Sequence, residues 1–162
     1  MKKGARKKRN KGLFQTHPRP TTVGLFYFTL TKENVAMPLV RISLRKGKTA
    51  EYREAVAEGV HKAMVETIGI PLTDRFQLIT EHDTGGLKYD TTYLDIQRTD
   101  DVVFVQIILN TGRSVEMKKA LYSGIVRYLA EKPGIRPQDV LINLVEVSRE
   151  NWSFGNGEAQ YS

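Results

Sequence analysis

Residues 47–74 read GKTAEYREAVAEGVHKAMVETIGIPLTD, and residues 112–139 read GRSVEMKKALYSGIVRYLAEKPGIRPQD. The two stretches align without gaps at an offset of 65 positions. Each has an N-cap residue, then apolar residues at helical spacing, then a glycine that ends the helix. The agreement predicts a duplicated structural unit, and the matched residues are Gly47, Lys48, Thr49, Ala55, Gly59, Gly69, Ile70 and Asp74 with Gly112, Arg113, Ser114, Ala120, Gly124, Gly134, Ile135 and Asp139.

Apolar stretches rich in β-branched residues precede and follow each predicted helix, as in a βαβ unit. The first helix is expected to begin after Thr49 and end before Gly69, and the second to run from Ser114 to about residue 131. The predicted strands lie at residues 39–44, 75–81, 102–109 and 140–147.

A βαβ unit has a right-handed crossover, so its two strands are parallel and its helix covers one face. Two units, at about residues 38–81 and 102–147, therefore predict an α+β domain with a four-stranded sheet and two helices on one face. The other face of the sheet is left uncovered, and an uncovered apolar face predicts an oligomer. The connection between the units is expected to be a loop at residues 82–90 followed by a short extra strand at 91–96.

The composition limits the classes of function. The chain has 162 residues and no cysteine, which suits a single domain and excludes disulfides, thiolate metal sites and cysteine catalysis. The longest apolar run, residues 23–30, is too short to cross a bilayer, so no membrane partner is expected and the predicted location is the cytoplasm. No metal-ligand or phosphate-binding spacing is present, and the prediction is a site without a cofactor. His82, at the start of the connecting loop, is the one histidine retained as a candidate for the pocket rim.

The positive charge is confined to one end of the chain. The net charge is +7, of which residues 1–36 contribute +8 and residues 37–162 contribute −1. Any affinity for nucleic acid would therefore reside in the basic tail, which is too polar and self-repelling to form a core and is expected to be disordered.

Three interpretations of residues 1–36 are open: a nucleic-acid-binding arm, a targeting peptide, or a stretch left untranslated in the cell because the start codon was assigned too early. The third is favoured, because Lys32-Glu33 can be encoded AAGGAG, a ribosome-binding sequence, with three codons between it and Met37. Removal of Met37 would expose the secondary amine of Pro38, a group that can act as a base.

Residues 37–161 resemble the tautomerase superfamily, and within it most closely the malonate semialdehyde decarboxylase branch. The resemblance rests on Met37-Pro38, the repeated βαβ unit, Gly112-Arg113-Ser114, the run IRPQDV at 135–140 and above all NWSFGNG at 151–157. It implies a homotrimer of double βαβ units with an amino-terminal proline in a pocket between subunits.

The resemblance also assigns roles to individual residues. The catalytic residues would be Pro38, Asp74 as a water-positioning or hydrogen-bonding carboxylate, and Arg113, which would bind a substrate carboxylate. The aromatic wall of the substrate site would comprise Trp152, Phe154 and Tyr161. The decarboxylases have a second arginine two positions before the one matched by Arg113, where this chain has Thr111, and this departure favours keto–enol tautomerisation over decarboxylation or hydration.

The chemistry of these residues agrees with those roles. An α-amine has a reference pKa of about 7.7 to 8.0, and burial beside a guanidinium disfavours its protonated form. Arg113 can hold a carboxylate through two parallel hydrogen bonds, which lysine cannot do. The function predicted is therefore a cofactor-free enzyme that moves a proton on a small 2-oxo acid or enol, with Pro38 as general base. A malonate semialdehyde-type decarboxylase or hydratase is one alternative, and a binding protein whose proline is blocked by the tail is another.

Each residue also has a purely structural interpretation. Pro38 could simply lead a strand, Asp74 could cap a turn as Asp139 is expected to do, Arg113 could be a solvated residue at a helix start, and Trp152 could be part of the core or of a subunit contact. The combination of the proline, the repeat and the Trp152 stretch favours the enzyme.

Overall fold

The computed structural model describes Met1 and residues 37–161 of the chain, so the predictions made for the basic tail lie outside the described residues apart from Met1. Four strands and two long helices follow one another as two βαβ units. Their bounds are β1 Leu39–Arg45, α1 Ala50–Ile68, β2 Phe76–His82, β3 Val103–Asn110, α2 Val115–Glu131 and β4 Val140–Val147.

The two helices begin and end where the repeated residues require. Thr49 caps α1 by accepting a hydrogen bond from the backbone N–H of Tyr52, and Ser114 caps α2 by accepting one from Met117. Gly69 ends α1 in the left-handed conformation at φ 67°, where a residue with a Cβ atom is disfavoured. The predicted N-caps and the glycine stop of α1 are confirmed.

The sheet has the order β2-β1-β3-β4. β1 and β2 are parallel, β3 and β4 are parallel, and the two units join through antiparallel pairing of β1 with β3. The predicted α+β fold with a duplicated βαβ unit is therefore confirmed.

Both helices pack on one face of the sheet and bury its alternate side chains. The buried strand residues are Val40, Ile42, Leu44, Val103, Val105, Ile107 and Leu109, and they contact Val56, Val60, Met64, Leu121, Ile125 and Leu129 of the helices in one core. The helices approach closely at Gly59 and Gly124, since a Cβ atom at these positions would lie 3.0 Å from Leu129 Cδ2 and 3.1 Å from Thr67 Cγ2. The repeated glycine thus serves helix–helix packing in both units.

The opposite face of the sheet is not covered by any helix of the described residues. Phe76, Leu78 and Leu141 keep 46%, 49% and 38% of their surface exposed there. Arg41 lies between Leu78 and Gln106 in the same row of the sheet. This face therefore combines exposed apolar side chains with Arg41 and Gln106, and it is the face that the sequence predicts as an assembly surface.

The connection between the units differs from the prediction. Residues 91–96 are not a strand, because the chain forms a short 3₁₀ turn at Tyr93–Asp95 in which Leu94 has φ 59° and ψ 33°. The Asp90 carboxylate accepts hydrogen bonds from the Thr92 N–H and hydroxyl, and the Arg98 guanidinium donates to the carbonyls of Tyr93 and Ile96. These local hydrogen bonds use backbone N–H and carbonyl groups that would pair with an adjacent strand if the segment were extended. The segment therefore forms a turn.

Candidate active site

The predicted site residues meet at one edge of the sheet because of its strand directions. Leu39 pairs with Phe76 at the starts of β1 and β2, and with Ile108 near the end of β3. Asn110 pairs with Val147 at the ends of β3 and β4. Residues that precede the first two strands and follow the last two therefore come together.

An open cavity of about 260 Å³ lies at this edge, with Pro38 in its wall. Pro38 itself is buried, and Met37 also lines the cavity. Loss of Met37 would therefore expose the proline amine and enlarge the space beside it. The cavity is lined by Met37, Pro38, Leu39, Phe76, Trp152, Ser153 and Phe154.

Three of the seven residues that line the cavity are aromatic. Trp152 stacks on Phe154 with centroids 5.4 Å apart and an interplanar angle of 9°. Tyr161 packs edge-on against Phe154 at 5.2 Å, so the three predicted aromatic residues form one cluster. Phe76, which was not among the predicted site residues, completes the cluster at 6.2 Å from Phe154. Its position two residues after Asp74, at the first position of a strand, was a usable signal.

Asp74 lies just before β2 in a buried position with only 6% of its surface exposed. Neither carboxylate oxygen has a hydrogen-bond partner among the described residues. Burial raises the pKa of Asp74 to about 6, while the charge of His61 acts in the opposite direction. The Asp74 side chain is therefore not a turn cap, and the carboxyl group titrates close to neutral pH.

His61 of α1 is buried. Its Nε2 lies 2.9 Å from the Leu72 carbonyl oxygen, in the turn that leads to Asp74, so Nε2 carries the proton that is donated to this acceptor. Nδ1 has no partner in the described part of the chain.

Arg113 stands at the start of α2 and is partly buried. Its Nη1 donates a 2.7 Å hydrogen bond to the Asn110 carbonyl oxygen, whereas its buried Nε has no partner among the described residues. Burial lowers the pKa of the Arg113 guanidinium, although the group stays charged. Arg113 does not line the cavity directly but is linked to it, because the Asn110 side chain accepts a 2.8 Å hydrogen bond from Trp152 Nε1.

Two other candidates fall outside the cavity wall. His82 ends β2 and pairs with Arg45, at the far end of the strand from Phe76 and about 20 Å from it at the usual rise per residue. The assignment of His82 to the pocket rim is therefore wrong. Thr111 is exposed, and its N–H donates to the Val147 carbonyl beyond the last pair of the β3–β4 ladder.

The part of the chain from 37 to 161 contains no group of three or more histidine, aspartate or glutamate side chains arranged to hold a metal ion. Its helices are either too short or too polar to traverse a bilayer. The cavity itself is lined by Pro38 and aromatic side chains, whereas the Asp74 carboxyl group and the Arg113 guanidinium lie outside its wall at the same edge of the sheet.

Comparison with known families and proteins agrees with this geometry. Two family models described as tautomerase enzymes match the chain, one over residues 74–155 and the other over residues 38–89. The second match begins at Pro38.

Curated relatives are similar over almost their whole length. The probable tautomerase YusQ of Bacillus subtilis strain 168 is 38% identical over 124 residues, which are 76% of this chain and 98% of the relative. The probable tautomerase YrdN of the same organism is 30% identical over 125 residues, which are 77% of this chain and 96% of the relative.

Solved structures show the same relationship. A malonate semialdehyde decarboxylase, described with its decarboxylase and hydratase activities, is 34% identical with a TM-score of 0.71 over 76% of this chain and 95% of its own. The FG41 malonate semialdehyde decarboxylase inhibited by 3-bromopropiolate is 38% identical, with a TM-score of 0.71 over 76% of this chain and 93% of its own. A fused 4-OT, described as a symmetric trimer, shares the fold at 22% identity and a TM-score of 0.63 over 76% of this chain and 97% of its own. Taken with the fold and the cavity at the edge of its sheet, these similarities show that the chain belongs to the tautomerase family of enzymes.

Proposed function

We propose that the enzyme tautomerises small 2-oxo acids without a cofactor, and that the free α-amine of Pro38 is its general base. The observation that carries this proposal is the position of Pro38 in the wall of an aromatic cavity, at the edge of the sheet where Asp74 and Arg113 also lie. An amine in such a cavity is shielded from water, which favours its neutral, basic form.

In the proposed reaction, Arg113 binds the carboxylate of the substrate and fixes the carbon that carries the proton next to Pro38. The Pro38 nitrogen removes a proton from the carbon alpha to the carbonyl, and the ammonium formed delivers that proton to the enolate oxygen, which gives the enol. Trp152 and Phe154 exclude water and strengthen the electrostatic interactions. Asp74, whose pKa lies near 6, is available to exchange a hydrogen bond or a proton with the reacting oxygen.

This chemistry requires that the mature enzyme begin at Pro38, because an amide nitrogen has no lone pair able to accept a proton at neutral pH. Support comes from the family model that matches from residue 38 and from the 124 residues that account for 98% of YusQ. We further propose a cytoplasmic location, since a protein that starts at Met37 lacks the basic and apolar residues that imitate a signal peptide.

The decisive experiment compares two forms of the protein. One starts at Met37 and is processed to Pro38, and the other starts at Met1 and is verified as intact by mass spectrometry. We expect the short form to tautomerise phenylpyruvate and the long form to show no activity above background. A short form with Pro38→Ala, which has a more flexible primary amine, should have reduced kcat/KM.

The mass of the protein purified from its native cell is measured in parallel, because it shows which of the two forms the cell makes. Equal kcat/KM for the intact long form and the short form would show that the Pro38 amine is not the base. An active long form would also favour the interpretation of the tail as a nucleic-acid-binding arm over the interpretation that the start codon was assigned too early.

We also propose that residues 37–161 assemble as a homotrimer. The uncovered sheet face with Phe76, Leu78 and Leu141 requires a partner, and the fused 4-OT structures of the same fold are described as trimers. Native mass spectrometry should give three chains per particle, and a stable monomer at micromolar concentration would contradict the proposal.

Decarboxylation is the second candidate function, because two malonate semialdehyde decarboxylases are 34% and 38% identical to the chain over nearly their full length. The exposed Thr111 stands where that branch has its second arginine, which favours tautomerisation. Release of carbon dioxide from malonate semialdehyde by the short form, measured beside phenylpyruvate tautomerisation, separates the two reactions. A larger kcat/KM for release of carbon dioxide would make decarboxylation the main activity.

A further inference from the structure

Asn110 connects two parts of the site that are far apart in sequence. It is the last residue of β3 and is buried, with 7% of its surface exposed. Its backbone carbonyl accepts a hydrogen bond from Arg113 Nη1 at 2.7 Å, and its side-chain oxygen accepts one from Trp152 Nε1 at 2.8 Å. The cation and the aromatic wall are therefore held by one residue.

The bond to the carbonyl determines which edge of the guanidinium faces a ligand. Because Arg113 Nη1 is used by Asn110, the edge suited to two parallel hydrogen bonds with a carboxylate is the one formed by Nε and Nη2. Nε is buried and has no partner in the described part of the chain. A buried donor without an acceptor destabilises the folded protein, and a bound carboxylate would offset this cost.

The bond to the side chain fixes the position of the indole ring. Trp152 is nearly parallel to Phe154, and stacking alone lets two flat rings slide and rotate against one another. The hydrogen bond from Trp152 Nε1 adds a directional constraint at the edge of the ring. The Asn110 side chain therefore sets how far the indole extends into the cavity beside Pro38.

We propose that Asn110 is a positioning residue that keeps the carboxylate-binding edge of Arg113 and the indole of Trp152 in register with the Pro38 amine. The proposal rests on the proposed function, because it concerns the same substrate and the same base. It does not require Asn110 to contact the substrate.

The test is a double-mutant cycle on the short form, with Asn110→Ala, Trp152→Phe and the combined variant. If the two residues act through their hydrogen bond, each single change should lower kcat/KM for phenylpyruvate about ten-fold, since small displacements of substrate-positioning groups reduce rates strongly. The kcat/KM of the combined variant should then be about the same as that of the poorer single variant. The effect of Asn110→Ala is expected mainly on kcat, because the Arg113 bond to the backbone carbonyl remains.

Trp152 is the single tryptophan of the chain, so its fluorescence reports the anchor without any assay of activity. Asn110→Ala should shift the indole emission and raise its quenching by acrylamide, whereas Asn110→Asp, which keeps an acceptor oxygen, should preserve both. Gln77→Ala is the matched control. This substitution also removes a hydrogen bond made by a side-chain amide, the one that Gln77 donates to the Ala57 carbonyl, and Gln77 does not line the cavity. If Asn110→Ala folds poorly, Asn110→Asp still allows the fluorescence to be compared with wild type, provided that its thermal unfolding is unchanged.

Single-variant losses that multiply in the combined variant would overturn the proposal, as would an unaltered emission and quenching of Trp152 in Asn110→Ala. Binding of phenylpyruvate, followed by quenching of Trp152, is measured in parallel. If the wild-type short form binds phenylpyruvate without converting it, the proposed function fails, and the quenching and Kd of Asn110→Ala still decide whether Asn110 positions the indole.

Discussion

The two repeats place an aspartate at the same position, and the two carboxyl groups have different surroundings. In the second repeat, the Asp139 oxygens accept hydrogen bonds from the Thr99 backbone N–H at 2.6 Å and the Thr99 hydroxyl at 2.9 Å. In the first repeat, both Asp74 oxygens lack a partner among the described residues, and burial raises the Asp74 pKa to about 6. The same residue type is structural in one repeat and chemically available in the other.

The basic residues at the two helix starts also have different surroundings. Here the residue of the first repeat has a charged partner and the residue of the second repeat forms no ion pair among the described residues. Lys48 of the first repeat pairs with the Asp101 carboxylate and lies over the Tyr52 ring at 4.9 Å from its centroid. Its partner at the 65-residue offset, Arg113, donates to a neutral carbonyl through Nη1 and keeps a buried Nε without a partner among the described residues, although the Glu146 carboxylate also favours its charge. Lys48 therefore has an ion-pair partner within the chain, whereas Arg113 is the cation proposed to bind the substrate carboxylate.

The difference indicates where a duplicated fold acquires a site. Thr99, which satisfies Asp139, lies in the segment that leads into β3, and the corresponding segment before β1 would be absent from a protein that begins at Pro38. A chain end at that place would leave Asp74 without such a donor and would supply an amine instead. The proposed site is thus the position at which the first repeat departs from the second.

The largest expected effect separates the two cations. Arg113→Ala should lower kcat/KM for phenylpyruvate by roughly ten-fold to a thousand-fold, because a charge-assisted pair with the carboxylate is lost. Arg113→Lys should also be impaired, since an ammonium cannot form the two parallel bonds. Steady-state kinetics of the short form measure both changes.

Lys48→Ala is the matched control for Arg113→Ala. Because Lys48 is already paired with Asp101 on the protein, its loss should change kcat/KM by less than about two-fold, in line with the small energies of exposed ion pairs. Equal losses for the two alanine variants would show that the repeats do not differ in the way described, and full activity of both Arg113 variants would place the carboxylate site elsewhere.

Much of the fold could be predicted from the sequence, because the repeat fixes caps, helix stops and strand positions by local chemistry. Thr49, Ser114 and Gly69 act through neighbouring backbone groups, which a sequence displays directly. The segment at 91–96 was wrongly predicted as a strand from its apolar alternation. The hydrogen bonds of Asp90 and Arg98 that form the turn were not anticipated.

The site was only partly accessible to the same reasoning. Pro38 and the Trp152 stretch carry a recognisable pattern, and the structure brings Pro38, Trp152, Phe154 and Tyr161 to one cavity or its wall. Phe76 and Asn110 joined them only through strand register and a contact between residues 42 positions apart. Such contacts depend on tertiary packing, which no local pattern specifies.

The last prediction compares one substitution at the two aspartates. In the form beginning at Met1, Asp74→Asn should raise the free energy of unfolding above pH 7 by up to about 3 kcal/mol, whereas Asp139→Asn should lower it by about 1–2 kcal/mol. Asparagine at 74 removes a buried charge, and at 139 it weakens two charge-assisted hydrogen bonds.

The sign at Asp74 follows from its pKa of about 6 in the folded chain against a reference value of 3.8. Between these values the folded state binds the proton more tightly, so the contribution of Asp74 to stability is present below about pH 4 and is lost as the pH rises through 6. The stability gained by Asp74→Asn should therefore grow from pH 4 to pH 7 and then stay constant, as measured by urea unfolding at each pH against wild type. A gain that does not depend on pH would mean that Asp74 is ionised or paired throughout. A loss of stability at pH 8 would mean that the Asp74 carboxylate has a partner as effective as Thr99 is for Asp139, and the two repeats would then not differ at this position.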